Sequence, residues 1–158
     1  DDKLLLAFVG GGLGKKIIDQ WIKEKPLSPI DSLPYQPIEN LKYSLSSADI
    51  HLVSMGNSMA GCVHPCKIYG AMAIGKPILL LGNNDNHISE IINKYDIGWS
   101  VEHGDIDAML NILTYLRDVE EEVLLQKGNN AKEAISTRYS QKALMNEFCS
   151  YIDNIGSS

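Results

Sequence analysis

Cys62, His64 and Cys66 stand at alternate positions at the head of CVHPCKIYGAMAIGKP, the segment from 62 to 77. Two thiols and an imidazole so close together could ligate a soft metal. A structural zinc site takes four ligands, however. The third cysteine, Cys149, lies far downstream, and His51, His87 and His103 fall in separate segments. Nor do the two thiols have the Cys-x-x-Cys spacing of a redox motif. No metal site is expected, and the same residues read better as the start of a helix. Pro65 suits a first helical turn, where its missing N–H is no loss. The opening amides of such a helix have no internal partners and carry partial positive charge. With Lys67 beside them they could hold a phosphate group.

The second candidate is FVGGGLGKKI, from Phe8 to Ile17. A P-loop needs Gly, four residues, then Gly-Lys-Ser/Thr, and neither Gly10 nor Gly11 starts that spacing. The dinucleotide fingerprint needs glycines at relative positions one, three and six; counted from Gly10, the third place is Lys15. Both motifs are absent. What remains is a strand that ends in glycines ahead of a helix. Glycines there either let a ligand approach the backbone, with Gly11 and Gly12 as the contact points, or simply form a tight turn. Lys15 and Lys16 read mainly as a solvated helix face.

The elements that must position these residues follow from periodicity. Residues 4–9 form a continuous apolar run that predicts a buried parallel strand. Helical spacing over 14–25 places Ile17, Ile18, Trp21 and Ile22 on one stripe. A short strand at 30–33, a helix opened by Pro37 and a strand at 50–53 come next. The alternation continues with a helix at 66–74, a strand at 77–81, a helix at 86–94, a strand at 98–101 and a helix at 105–116 capped by Asp105. Beyond it the chain is helical only, over 119–137 and 141–155, with Ser140 capping the last helix. Strands alternating with helices predict an α/β fold: a Rossmann-like parallel sheet with helices on both faces.

Composition narrows the function. The chain has 158 residues, the size of one domain, and a net charge of −6. That balance excludes general nucleic-acid binding, which relies on clustered Lys and Arg. It leaves room for a nucleotide, which needs only a cation or two and backbone amides. Three cysteines argue against a disulfide framework and for a reducing cytoplasm. No apolar run is long enough to cross a bilayer. The opening Asp1-Asp2-Lys3, without an initiating Met, suggests a piece of a larger protein.

Three segments in order, PYQPIENLKYSLSSADIHLVSM, HPCKIYGAMAIGKPILLLG and ISEIINKYDIGWSVEHGD, resemble the C-terminal, donor-binding half of GT-B glycosyltransferases. The resemblance is to sugar-nucleotide enzymes of bacterial capsule and exopolysaccharide synthesis, whose Pro-Ser-Lys-Leu-Tyr-Gly type of segment appears as Pro65-Cys66-Lys67-Ile68-Tyr69-Gly70. It implies that residues 1–158 form one nucleotide-sugar-binding domain. That domain would lack the first strand-helix unit and the N-terminal acceptor domain. It further implies retaining transfer to a glycan or lipid-linked acceptor, with no cofactor. The base would lie by Tyr35 and Gln36. Phosphates and donor sugar would lie by Gly11, Gly12 and the helix start at Cys62, Val63, His64, Cys66, Lys67, Tyr69 and Gly70. Many members carry two glutamates where this chain has Cys62 and Gly70, the second binding ribose; Glu90, at another helix start, is either a nearby candidate for that role or a solvated helix residue. Catalytic residues are not identifiable. The implied setting is the cytoplasm, with peripheral attachment to the inner face of the cytoplasmic membrane through the full-length enzyme. Two alternatives stay open: a sugar-nucleotide epimerase of the same fold, and a noncatalytic nucleotide-binding module. The stripe Leu144, Met145, Phe148, Tyr151, Ile152 and Ile155 on the last helix is expected to stay partly exposed unless another molecule or domain covers it.

Overall fold

The computed structural model describes residues 3–56 and 66–156, which divide into two compact units, Asp1–Ser44 and Leu45–Ser158. In the first, strand β1 (Leu6–Val9), helix α1 (Lys15–Glu24) and strand β2 (Ile30–Leu33) form a βαβ unit. The strands pair in parallel, from Leu6 opposite Ile30 to Val9 opposite Leu33. A 3₁₀ turn at Ile38–Asn40 leads into α2 (Leu41–Ser46).

The apolar run at 4–9 predicts a buried strand, and the structure departs from this: Leu5 is 66% and Val9 48% exposed. The cause lies in layering. A parallel strand is buried when neighbouring strands flank it and helices cover both faces. In this unit β1 pairs only with β2. Helix α1 shows the same deficit: it is strongly amphipathic yet buries no residue completely, and Ile17 is largely exposed.

The second unit alternates β3 (His51–Ser54), α3 (Lys67–Ile74), β4 (Ile78–Leu81), α4 (His87–Tyr95) and β5 (Gly98–Val101). Helices α5 (Ile106–Arg117), α6 (Glu121–Ala134) and α7 (Gln141–Gly156) follow, and a π-helical turn at Ile135–Tyr139 ends α6. The sheet order is β3-β4-β5, all parallel. Side chains of the central strand alternate between faces. Ile78 and Leu80 enter one core with Val53, Ile68 and Met72, joined by Ile88, Ile91 and Ile92 of α4 and Ala131 of α6. Leu79 points the other way, into a smaller core with Val101 and Leu116. Burying a side chain such as Ile68 or Leu80 completely contributes about 1.5–3 kcal/mol.

Close backbone approach explains two glycines. A Cβ on Gly98 would stand 1.8 Å from the Ile78 carbonyl oxygen, and one on Gly128 would stand 2.1 Å from that of Gly75. Caps match the sequence signals. The Asp105 side chain accepts from Ala108 N at 2.9 Å, and Ser140 Oγ accepts from Ala143 N at 3.2 Å. Along α7, Leu144, Met145, Phe148 and Ile152 are all exposed, as the apolar stripe leads one to expect; the side chains of Tyr151 and Ile155 lie outside those described.

Candidate functional site

In the first unit the carboxyl ends of β1 and β2 bring the glycine turn and the proline-bracketed loop together. Gly10 N donates to the Leu33 carbonyl at 3.0 Å. Gly10 and Gly12 have φ of 125° and 131°, a region that favours glycine. The Tyr35 ring lies on this bare backbone: a Cβ at Gly11 would be 2.8 Å from it. The rest of the ring projects into solvent, with Tyr35 77% exposed. Gln36 Nε2 donates to the Pro34 carbonyl at 3.1 Å, which turns its side chain back on the loop. Gly11, Gly12, Tyr35 and Gln36 thus share one end of a small sheet, with an aromatic face and open backbone on offer.

Lys15 differs from its expected place on a solvated face. Its Nζ donates to Ser32 Oγ and to the Leu33 carbonyl, and lies 3.4 Å from Asp19 Oδ1. Ser32 Oγ in turn donates to Asp19 at 2.5 Å. The Ser32 hydrogen bond, with the Lys15 charge behind it, holds the Asp19 carboxyl below its ordinary value. This cluster ties α1 to β2. Lys16 is exposed.

In the second unit the loops beyond β3, β4 and β5 are cross-linked. His103 Nε2 donates to the Met55 carbonyl at 2.9 Å. Asn84 Nδ2 donates to Glu102 at 3.2 Å, and its Oδ1 accepts from Ser100 Oγ at 3.0 Å. Asn86 caps α4, accepting from Ile88 N at 2.8 Å and Ser89 N at 3.0 Å, while Ser89 Oγ accepts from Asn86 N. Glu90, in the first turn of α4, is exposed and sits 3.9 Å from His87 Nδ1. The carboxyl ends of parallel strands are where open α/β sheets bind ligands. Residue types hint at the Asn84–Glu102 crosslink only through an asparagine-rich turn after a strand. Its partners are distant in sequence.

Helix α3 begins at Lys67, one residue after the expected 66, which leaves Lys67 in its first turn as expected, with Lys67 and Cys66 both exposed. Cys66 forms no side-chain cap on the helix. Tyr69 packs its ring 5.9 Å from that of Tyr139, which also meets Tyr95 edge-on at 6.0 Å. Burial, and next the Tyr95 hydrogen bond, push the Tyr139 phenol up to about 12. Gly70 is roomy: a Cβ there would meet only Leu45 Cδ1, at 3.6 Å. Cys62, Val63 and His64 lie outside the described residues. Among the described residues no group of His, Cys, Asp and Glu could hold a metal, and no helix is long and apolar enough to cross a membrane.

No protein-family model matches the chain. It is 24% identical over 152 residues, 96% of its length, to WbjE of Pseudomonas aeruginosa, a protein named as a glycosyltransferase. It is 23% identical over 148 residues, 93% of its length, to WcaI of Escherichia coli K12, which is named for glycosyl transfer in colanic acid biosynthesis. The chain spans 37% and 34% of these relatives. Among solved structures, sucrose-phosphate synthase from Thermosynechococcus elongatus superposes with a TM-score of 0.70 at 20% identity, over 97% of this chain and 39% of that one. In fold the chain is one Rossmann-like half of the GT-B architecture, and in sequence it is similar to glycosyltransferases over nearly its whole length.

Proposed function

We propose that the chain is the C-terminal, donor-binding half of a retaining glycosyltransferase. The enzyme transfers a sugar from a nucleotide-sugar to a glycan or lipid-linked acceptor in polysaccharide synthesis, and an N-terminal acceptor domain completes it. The observation that carries this is the coincidence of glycosyltransferase-like sequence and GT-B fold across almost the whole chain. By that likeness Tyr35 and Gln36 receive the base, and an exposed aromatic face on bare backbone suits any base. By the same likeness, phosphate and sugar contacts fall to Gly11 and Gly12 of the first unit, to Cys62, Val63 and His64, which lie outside the described residues, and to Cys66, Lys67, Tyr69 and Gly70 at the start of α3 in the second unit. Helix amides and one lysine are the chemistry a diphosphate needs. Glu90 takes the ribose. No organic cofactor or metal enters. The enzyme works in the cytoplasm, held at the inner face of the membrane through its full length.

Calorimetric titration of the chain with UDP, GDP and ADP tests this. One of the three should bind saturably, and Lys67→Ala should weaken it by about tenfold, the worth of one charged hydrogen bond. Saturable binding of none of them, nor of their sugar conjugates, would remove the donor role. The family resemblance favours a second reading, a noncatalytic nucleotide-binding module: by it Cys62 and Gly70 stand where many members carry a glutamate pair, the second binding ribose. Sugar transfer by the full-length protein decides against that module.

A further inference from the structure

A groove of about 560 Å³ runs alongside β5, on the flank of the three-stranded sheet. The Ile97 and Val101 carbonyls accept from Ile78 and Gly82 amides across the sheet. Backbone alternation therefore turns the N–H and C=O groups of Gly98 and Ser100 outward, into the groove. From one sheet face α5 contributes Tyr115 and Asn111, a single turn apart and so facing the same way. Trp99 meets Tyr115 edge-on, with ring centroids 6.0 Å apart. From the other face α4 contributes Asn93.

Among the described residues the lining contains no Asp, Glu, Lys or Arg, in a chain that is 22% charged. Lys127 lies 5.0 Å over the Trp99 ring, and its charge is answered by Asp96 at 2.5 Å. A phosphate or a charged peptide finds no counter-ion here. A purely apolar ligand would strip water from two amides and two backbone edges and leave them without partners. An exposed phenol ring at Tyr115 set among neutral donors and acceptors matches a molecule whose C–H faces alternate with hydroxyls.

We propose that the β5 groove binds a neutral saccharide, with the Tyr115 ring against its C–H face, the Trp99 ring beside it, and Asn93, Asn111 and the Gly98–Ser100 backbone on its hydroxyls. None of these residues has a part in the nucleotide roles above, so the two proposals stand or fall separately.

The experiment uses the full chain as Trp21→Phe, which leaves Trp99 as the one tryptophan. Its emission is followed during titration with maltotriose, with cellotriose and with an alternating Thr-Val hexapeptide, all without nucleotide. At least one trisaccharide should give a saturable change. Tyr115→Ala should weaken it by about tenfold, the scale of a lost aromatic anchor. Asn111→Asp, which keeps the side chain's size on an exposed position, should weaken it less, and both variants should keep the parent's melting temperature. No saturable response to either trisaccharide overturns the proposal. So does an unchanged response in folded Tyr115→Ala and Asn111→Asp, or a response to the peptide alone.

Discussion

Leu6 and Leu80 sit in parallel strands of equal length, yet Leu6 is 37% exposed and Leu80 is completely buried. The two units use the same βα alternation and the same residue types. They differ in layers: β4 has a strand on each side and a core on each face, while β1 has one strand neighbour in its unit. An apolar run is therefore a statement about what a strand can bury, and the neighbours decide what it does bury. The more weakly buried unit is the one that presents the glycine turn, Tyr35 and Gln36. On the proposed function these loops receive the ligand, and ligand-binding loops are drawn from the less stable parts of a fold.

Backbone clashes offer the sharpest way to break this comparison. Gly98→Ala and Gly128→Ala drive a Cβ into a carbonyl oxygen in the second unit, and each should cost about 3 kcal/mol or more in urea unfolding. Gly14→Ala, with nothing within 4 Å and an ordinary φ of −74°, should be neutral or gain up to about 1 kcal/mol. Equal losses at all three positions would erase the distinction between the units.

Core truncation comes next. Leu80→Ala should cost about 2–5 kcal/mol. Ile17→Ala in α1, on a residue 73% exposed, should stay within about 0.5 kcal/mol. Hydrogen exchange read on both units should show β1 and β2 amides exchanging well before those of β4.

Gly70 allows the donor reading to be sharpened by gain instead of loss. The site has room for a side chain, so Gly70→Glu should fold and raise affinity for a nucleoside diphosphate by about tenfold through a ribose hydrogen bond. Unchanged affinity in a folded variant would detach Gly70 from the ribose.

The smallest effect is a pH dependence confined to the second unit. Burial is the main cause that pulls the His51 imidazole below its ordinary 6.5, against its hydrogen bond to the Leu45 carbonyl at 2.9 Å and with help from Lys76. The folded state thus binds its proton less readily than the unfolded state. Stability is full above pH 6.5 and falls as the pH drops from there toward the folded value. A urea midpoint that declines below that pH in the parent chain, and does so less in His51→Gln, is the expected outcome.

Every element could be placed from the sequence to within a few residues, because its signals are local. The 3.6 and 2.0 periodicities, Pro37 at a helix entrance, and Asp105 and Ser140 as caps all act within one or two turns of chain. Gly11 and Gly12 are legible as a turn just past a strand for the same reason, whereas Tyr35 and Gln36 stand out only through the family resemblance. What the tertiary structure alone decided involves residues far apart in sequence. Lys15 reaches Ser32 of β2, 17 residues on, besides Asp19 one turn along its own helix. His103 reaches the Met55 carbonyl across 48 residues, and Asn84 joins Glu102. Leu5 and Val9 stay exposed though their run reads as buried. Periodicity reports a segment's own preference, whereas burial and polar pairing depend on which layers the folded chain sets against it.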